Sequence, residues 1–224
     1  MRTYIFPSSR FGIVAPSFQG NRTVPIRAQR AMAESEAFAV LDGPMFAFCG
    51  SQSREECVQS VRLLLDQKRG LYVPSSHPSE GMTISIVDGR AQMARGASVP
   101  NGATVAVQLF PELVRDRIVV ASRIRDTENV WRAALGILPN GNLIFAVDQA
   151  PMHIFATRLK ALGVVHAGYT DGGGSAKLVT REWYAGDRED RPKGAWLADL
   201  PEKHEEVSIL LPLVLGAIVY YIAR

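Results

Sequence analysis

Two dipeptides constrain this chain more than any other feature: Asp88-Gly89 and Asn140-Gly141, each set between short runs rich in apolar residues. Asp-Gly and Asn-Gly are favoured in two-residue hairpins because a type I′ turn needs positive φ at both central positions. A hairpin makes its strands antiparallel neighbours. Thr83–Val87 should therefore pair with Arg90–Ala94, and Ala134–Leu138 with Leu143–Val147. Shorter strand-like runs occur at Thr3–Phe6, Phe11–Ala15, Ala37–Leu41, Thr104–Phe110, Arg117–Ser122, Val164–Tyr169 and Ala176–Thr180. Such an order reads as α+β rather than as regular βαβ winding. The fold expected is a mixed, largely antiparallel β-sheet with about three packed helices.

Those three helices come from periodicity. Ile26–Glu34 carries Ile26, Ala31 and Met32. Glu55–Lys68 places Val58, Val61, Leu64 and Leu65 at helical spacing, with Gly70 as its stop. Pro151 can open a third helix, in which Met152, Phe155, Leu159 and Leu162 share a face before Gly163 ends it.

With 224 residues, 47% of them hydrophobic and 21% charged, one domain of ordinary size is expected, over residues 1–200. The net charge is +3, and Lys and Arg are scattered among carboxylates; the densest run, Arg188-Glu189-Asp190-Arg191, mixes signs. No nucleic-acid partner is expected from that distribution. Cys49 and Cys57 lie in no zinc-ligand spacing; they are close enough in sequence for a disulfide if the backbone turns back, with two reduced, partly buried thiols as the bland reading. No cofactor is expected, with a divalent cation left open. The N-terminal apolar run is cut short by Pro7, Ser8, Ser9 and Arg10, so it does not read as a signal peptide.

The C-terminal end reads differently. From Val207 to Ala223 the only polar side chains are Ser208, Tyr220 and Tyr221. As a helix this stretch would be roughly 25 Å long at the α-helical rise, at the short end of what spans a hydrocarbon core. The tyrosines sit where an interfacial aromatic belt would place them, followed by Arg224. A transmembrane anchor over 207–223 is therefore expected, tethered by the charged residues 201–206, with the membrane as a partner. The structural alternative is a buried terminal helix or strand, since Pro212 and Gly216 interrupt a run rich in Val and Ile.

Chemistry concentrates in Asp171-Gly172-Gly173-Gly174-Ser175, at the end of an apolar strand. Three consecutive glycines cost backbone entropy, so they point to unusual φ or to close backbone approach. Successive amides without side chains can form an anion cradle. Asp171 could act as acid, base, nucleophile or metal ligand, and Ser175 could donate to a phosphate oxygen; the bland alternative is a flexible turn. Asp42-Gly43-Pro44-Met45-Phe46 is a second carboxylate at a strand end, with an ordinary turn as its alternative. Arg132 enters an apolar strand and must find an anion, by default a structural carboxylate and otherwise a substrate phosphate. His153 and His166 form no triad or metal pattern, and His166, alternating with apolar residues, reads as a packed histidine.

Taken together, these segments resemble the phosphodiester glycosidase family. Arg132-Ala133-Ala134-Leu135-Gly136 is similar to the family's Arg-(small)-Ala-(apolar)-Gly strand, and Asn140-Gly141 with Leu143-Ile144-Phe145 to its hairpin. Phe155-Ala156 through Leu162-Gly163 resembles its helix ending in Leu-Gly. Tyr169-Thr170-Asp171-Gly172-Gly173-Gly174-Ser175 resembles its Asn-Leu-Asp-Gly-Gly-Gly-Ser hallmark, with Tyr169-Thr170 in place of Asn-Leu. Leu41-Asp42-Gly43-Pro44-Met45-Phe46 resembles its Asn-Gly-x-x-Phe element, with Asp for Asn. The resemblance implies a hydrolase acting where a sugar's anomeric carbon is esterified to phosphate, its substrate a sugar-phosphate diester or related glycan. It implies that Arg132 and the Gly172, Gly173 and Gly174 amides hold the phosphodiester charge, with Gly43 and Ser175 also lining the site. Asp171 and Asp42 would flank the anomeric carbon. The competing reading is a non-catalytic, membrane-attached glycan-binding or structural protein, such as a phage virion component.

Overall fold

The hairpin built on Asn140-Gly141 supplies the two central strands of the fold, Val130–Ile137 and Leu143–Ala150, paired from Val130↔Ala150 to Ile137↔Leu143. The structure is a computed structural model and describes residues 1–14, 22–23, 39–42, 46–48, 58–60, 62–121, 126–172, 176–180, 183–186, 189–192 and 219–222. The turn is not the expected type I′. Only Gly141 has positive φ, 82°, and the loop closes through Leu138 N–H to Asn142 O and Gly141 N–H to Leu138 O, both 2.9 Å. Pro139 explains the difference, because its ring locks φ negative inside the loop. The Asp88-Gly89 turn between Met82–Val87 and Arg90–Arg95 behaves as expected, with φ of 51° and 73°.

A six-stranded sheet runs in the order Arg2–Phe6, Leu143–Ala150, Val130–Ile137, His166–Gly172, Glu112–Arg115, Ile118–Val119. Both of its faces are covered. On one lies the helix Met152–Ala161, whose Phe155, Ala156 and Leu159 share a cluster with Ala134, Ile144 and Ala146. On the other, Leu135, Phe145 and Val147 join Ile84, Val107, Leu109, Leu41 and Leu178 from two further sheets. Phe6 meets Phe145 edge-on there, with ring centroids 4.7 Å apart. Burial on two sides is why the central strands read as near-continuous apolar runs instead of alternating.

The second sheet, of five strands, places Ala103–Leu109 between Met82–Val87 and Leu64–Asp66. In the third, Lys177–Thr180 is followed by Ala39–Asp42, Val219–Ile222 and Phe11–Val14. Every pairing among the described residues is antiparallel, so the α+β expectation holds while its mixed component does not.

The helix count is corrected. Among the described residues there is a single α-helix, Met152–Ala161, with Gly163 at φ 84° just beyond it. Ile26–Glu34 lies outside the described residues, as do Cys49 and Cys57. The expected helix over Glu55–Lys68 is instead the strands Val58–Ser60 and Leu64–Asp66 and a 3-10 turn, Gln67–Arg69. Arg62 is buried, and the buried Asp66 carboxylate accepts the Ile13 N–H at 3.1 Å. Short apolar runs do not separate helix from strand by spacing alone, and here the available strand partners decided.

The C-terminal expectation is corrected as well. Val219–Ile222 is a strand, not the end of a membrane-crossing helix; it pairs with Phe11–Val14 on one side and Ala39–Asp42 on the other. Val, Ile and Tyr suit a strand held between two neighbours. Among the described residues no helix is long and apolar enough to cross a membrane. Residues 201–206 and the remainder of the expected anchor, up to 218, lie outside the described residues.

Candidate functional site

The strand His166–Gly172 carries Asp171 to the edge of the site, and it does so through a bulge. Against Val130–Ile137 the register runs Ile137↔His166 to Ala134↔Tyr169 and then resumes at Arg132↔Gly172. Two steps on one strand thus face three on the other. A bulge bends its strand and re-aims the side chains beside it. Asp171 and Gly172, on the bulged side, are half-buried, while Tyr169 and Thr170 before them are buried.

Arg132, on the opposite strand, is 3% exposed, and its guanidinium is held from several directions. Nε donates to Ala150 O at 2.7 Å, and Nη2 donates to the Asp126 carboxylate at 2.7 Å and to Glu128 O at 3.1 Å. A buried guanidinium needs such partners, since an unpaired charge there is costly. The default expectation of a structural ion pair thus describes this residue, with Asp126 as the carboxylate.

Tyr169 completes the cluster. Its phenol lies close enough to Asp171, Arg132 and Asp126 for their charges to act on it. Burial pushes its phenol well above the ordinary tyrosine range, and the Asp171 charge adds to the effect, so the group stays neutral at physiological pH. The Asp171 carboxylate accepts the N–H of Gly172 at 2.7 Å. That amide is therefore engaged by the protein's own carboxylate. Thr170 Oγ1, fully buried between Tyr169 and Asp171, has no hydrogen-bond partner.

Of the residues expected from sequence, the fold brings Arg132, Asp171 and Gly172 together. Asp42 ends the strand Ala39–Asp42 in the third sheet, where Leu41 pairs with Leu178. It therefore stands beside the start of Lys177–Thr180, the strand the chain enters soon after the glycine run. Gly43, Gly173, Gly174 and Ser175, and the side chain of Asp42, lie outside the described residues. The two residues that sequence reasoning missed are Tyr169 and Asp126. Tyr169 was visible only as a departure from the hallmark, and nothing in the sequence links Asp126 to Arg132. His166 is half-buried, with its Nδ1 accepting the Asp116 N–H at 3.4 Å.

Among the described residues no three His, Cys, Asp or Glu side chains gather as a metal site. A polar groove of about 540 Å³ lies elsewhere, between the two hairpin turns, lined by Ser8, Ser9, Gly89, Arg90, Asn140 and Asn142. It includes none of the expected site residues.

This antiparallel architecture is shared with solved structures. The catalytic domain of zebrafish N-acetylglucosamine-1-phosphodiester alpha-N-acetylglucosaminidase, auto-inhibited by its pro-peptide, is similar with a TM-score of 0.68 and 17% identity, over 97% of this chain and 74% of that one. A putative exported protein from Burkholderia pseudomallei gives 0.60 and 11%, over 99% and 73%. A hypothetical protein from Synechocystis gives 0.50 and 12%, over 80% and 54%. At these identities the likeness is one of fold. No curated protein sequence matches the chain. The family model of phosphodiester glycosidases matches residues 48–202, more than half of the length, and the chain belongs to that family.

Proposed function

We propose that this protein is a hydrolase that cleaves the bond between a sugar's anomeric carbon and a phosphodiester oxygen. The observation that carries the reading is the convergence of Asp171, Arg132 and Tyr169 at a strand bulge, within the segment that matches the family. The leaving group in such a reaction is already anionic and gains charge as the bond breaks. Fixed positive charge and aligned N–H donors near it therefore matter more than a strong general acid. Arg132 and the glycine-run amides are the candidates for that role. Asp171 and Asp42 are the candidate carboxylates for activating water or attacking the anomeric carbon, and their separation would set inversion or retention. The register that puts Asp42 beside the entry to Lys177–Thr180 supports this pairing.

A second reading, a non-catalytic glycan-binding protein, draws on Arg132, whose Nε and Nη2 are both satisfied inside the fold. One experiment separates the two. Wild type and Asp171→Asn are screened against a set of sugar-1-phosphodiesters, with released phosphomonoester measured by coupled phosphatase. The enzymatic reading expects turnover by wild type and a loss of about a hundredfold or more in the variant. Binding without turnover by either protein would leave the glycan-binding reading standing alone.

A further inference from the structure

Gly172 does not need to be glycine for its backbone. Gly141 and Gly163 sit at φ of 82° and 84°, whereas Gly172 has no positive φ. What it lacks is room. A Cβ built there would fall inside the van der Waals radius of the Tyr169 hydroxyl oxygen, 2.9 Å from Cζ and 3.3 Å from Trp131 O. The Tyr169 ring has little freedom to move aside, being 8% exposed and clustered with Ala134, Phe155 and Ala167. Tyrosine at 169 and glycine at 172 thus interlock across the bulge.

We propose that Tyr169 is a positioning residue for the reaction proposed above: its hydroxyl, seated on Gly172, clamps the bulged Asp171-Gly172 backbone and so fixes where the Asp171 carboxylate points. The inference rests on the reading of Asp171 as a reacting group. The geometry has three supports. The hydroxyl lies against the Gly172 backbone, the strand register sets Arg132 directly opposite Gly172, and Arg132 is itself anchored to Ala150 O, Asp126 and Glu128 O. Asp171 and Asp126 are the carboxylates whose charge acts on the phenol. Asp171 in turn grips the Gly172 N–H, closing a loop of contacts around the bulge.

The test uses Tyr169→Phe, Gly172→Ala and the double variant of the full chain, with N-acetylglucosamine 1-(methyl phosphate) as the probe. Phenylalanine keeps the packed ring and removes only the hydroxyl. In Tyr169→Phe, kcat should fall about tenfold or more with KM within about twofold, because misorientation of a reacting group costs rate rather than binding. The pH–rate profile should also move on the limb set by the reacting carboxylate. Gly172→Ala should lower Tm by about 5 °C or more alone, and by less than half as much beside Tyr169→Phe, since the two effects share one contact. Unchanged kcat and pH profile in Tyr169→Phe would overturn the positioning role even if Tm falls. Additive Tm shifts would overturn the interlock. A wild type inactive on every diester would remove the hydrolase reading and the positioning role with it, while the Tm cycle would still decide the interlock.

Discussion

Removing the Asp126 carboxylate tests whether the Arg132 ion pair organises the site. Arg132 is 3% exposed, and its Nη2 spans Asp126 at 2.7 Å and Glu128 O at 3.1 Å, with Nε on Ala150 O. In Asp126→Ala the two carbonyls remain, but the counter-charge is gone. Breaking a buried pair by deleting one partner costs about 3–5 kcal/mol. The Asp126 side chain is 27% exposed, so water can reach part of the vacated space. The cost should therefore sit at or below the lower end, about 2–3 kcal/mol, or a Tm lower by about 5–10 °C. Urea denaturation of Asp126→Ala, Arg132→Met and the double variant measures this directly. The double variant should be less destabilised than the sum of the singles by about 2 kcal/mol, because it leaves no orphaned charge. Additive costs, or an Asp126→Ala protein within about 0.5 kcal/mol of wild type, would refute the claim that this pair holds the site together.

Gly168→Ala should destabilise by about 2–3 kcal/mol, read by thermal melting, because the new Cβ would overlap Leu109 Cβ and lie 2.9 Å from its Cδ1, where no rotamer change relieves the first clash. Truncation before Val219 should lower Tm by about 5 °C or more, since it strips a strand paired on both sides, and an unchanged melt would show that this pairing adds little to stability. Stability should fall as pH rises above the ordinary tyrosine value of 10.0. The Tyr169 pKa is raised in the folded state, so its contribution is full below the unfolded pKa and is lost as the pH climbs toward the folded one. Denaturant melts from pH 9 upward should show a shallower decline in Tyr169→Phe than in wild type.

The local chemistry of turns and caps was readable along the chain. Asp88-Gly89 made its hairpin, Pro151 and Gly163 bounded the helix Met152–Ala161, and the apolar runs around Ala134 and Phe145 became buried strands. These are decided by φ preferences and by backbone hydrogen bonds between sequence neighbours, so they need no knowledge of distant residues. The hallmark around Asp171 was readable for the same reason, as a contiguous string. What tertiary structure decided were the segments whose apolar residues could satisfy either period. Leu64–Asp66 became a strand because Ala103–Leu109 and Leu71–Val73 offered it edges and Ile13 offered a donor to Asp66. Val219–Ile222 became a strand because a gap between Phe11–Val14 and Ala39–Asp42 could hold one. The bulge, the Asp126 partner of Arg132 and the seat of the Tyr169 hydroxyl on Gly172 also belong to the tertiary level. Each arises from contacts across strands or loops, where sequence separation carries no distance information and only the assembled sheet brings the groups within bonding range.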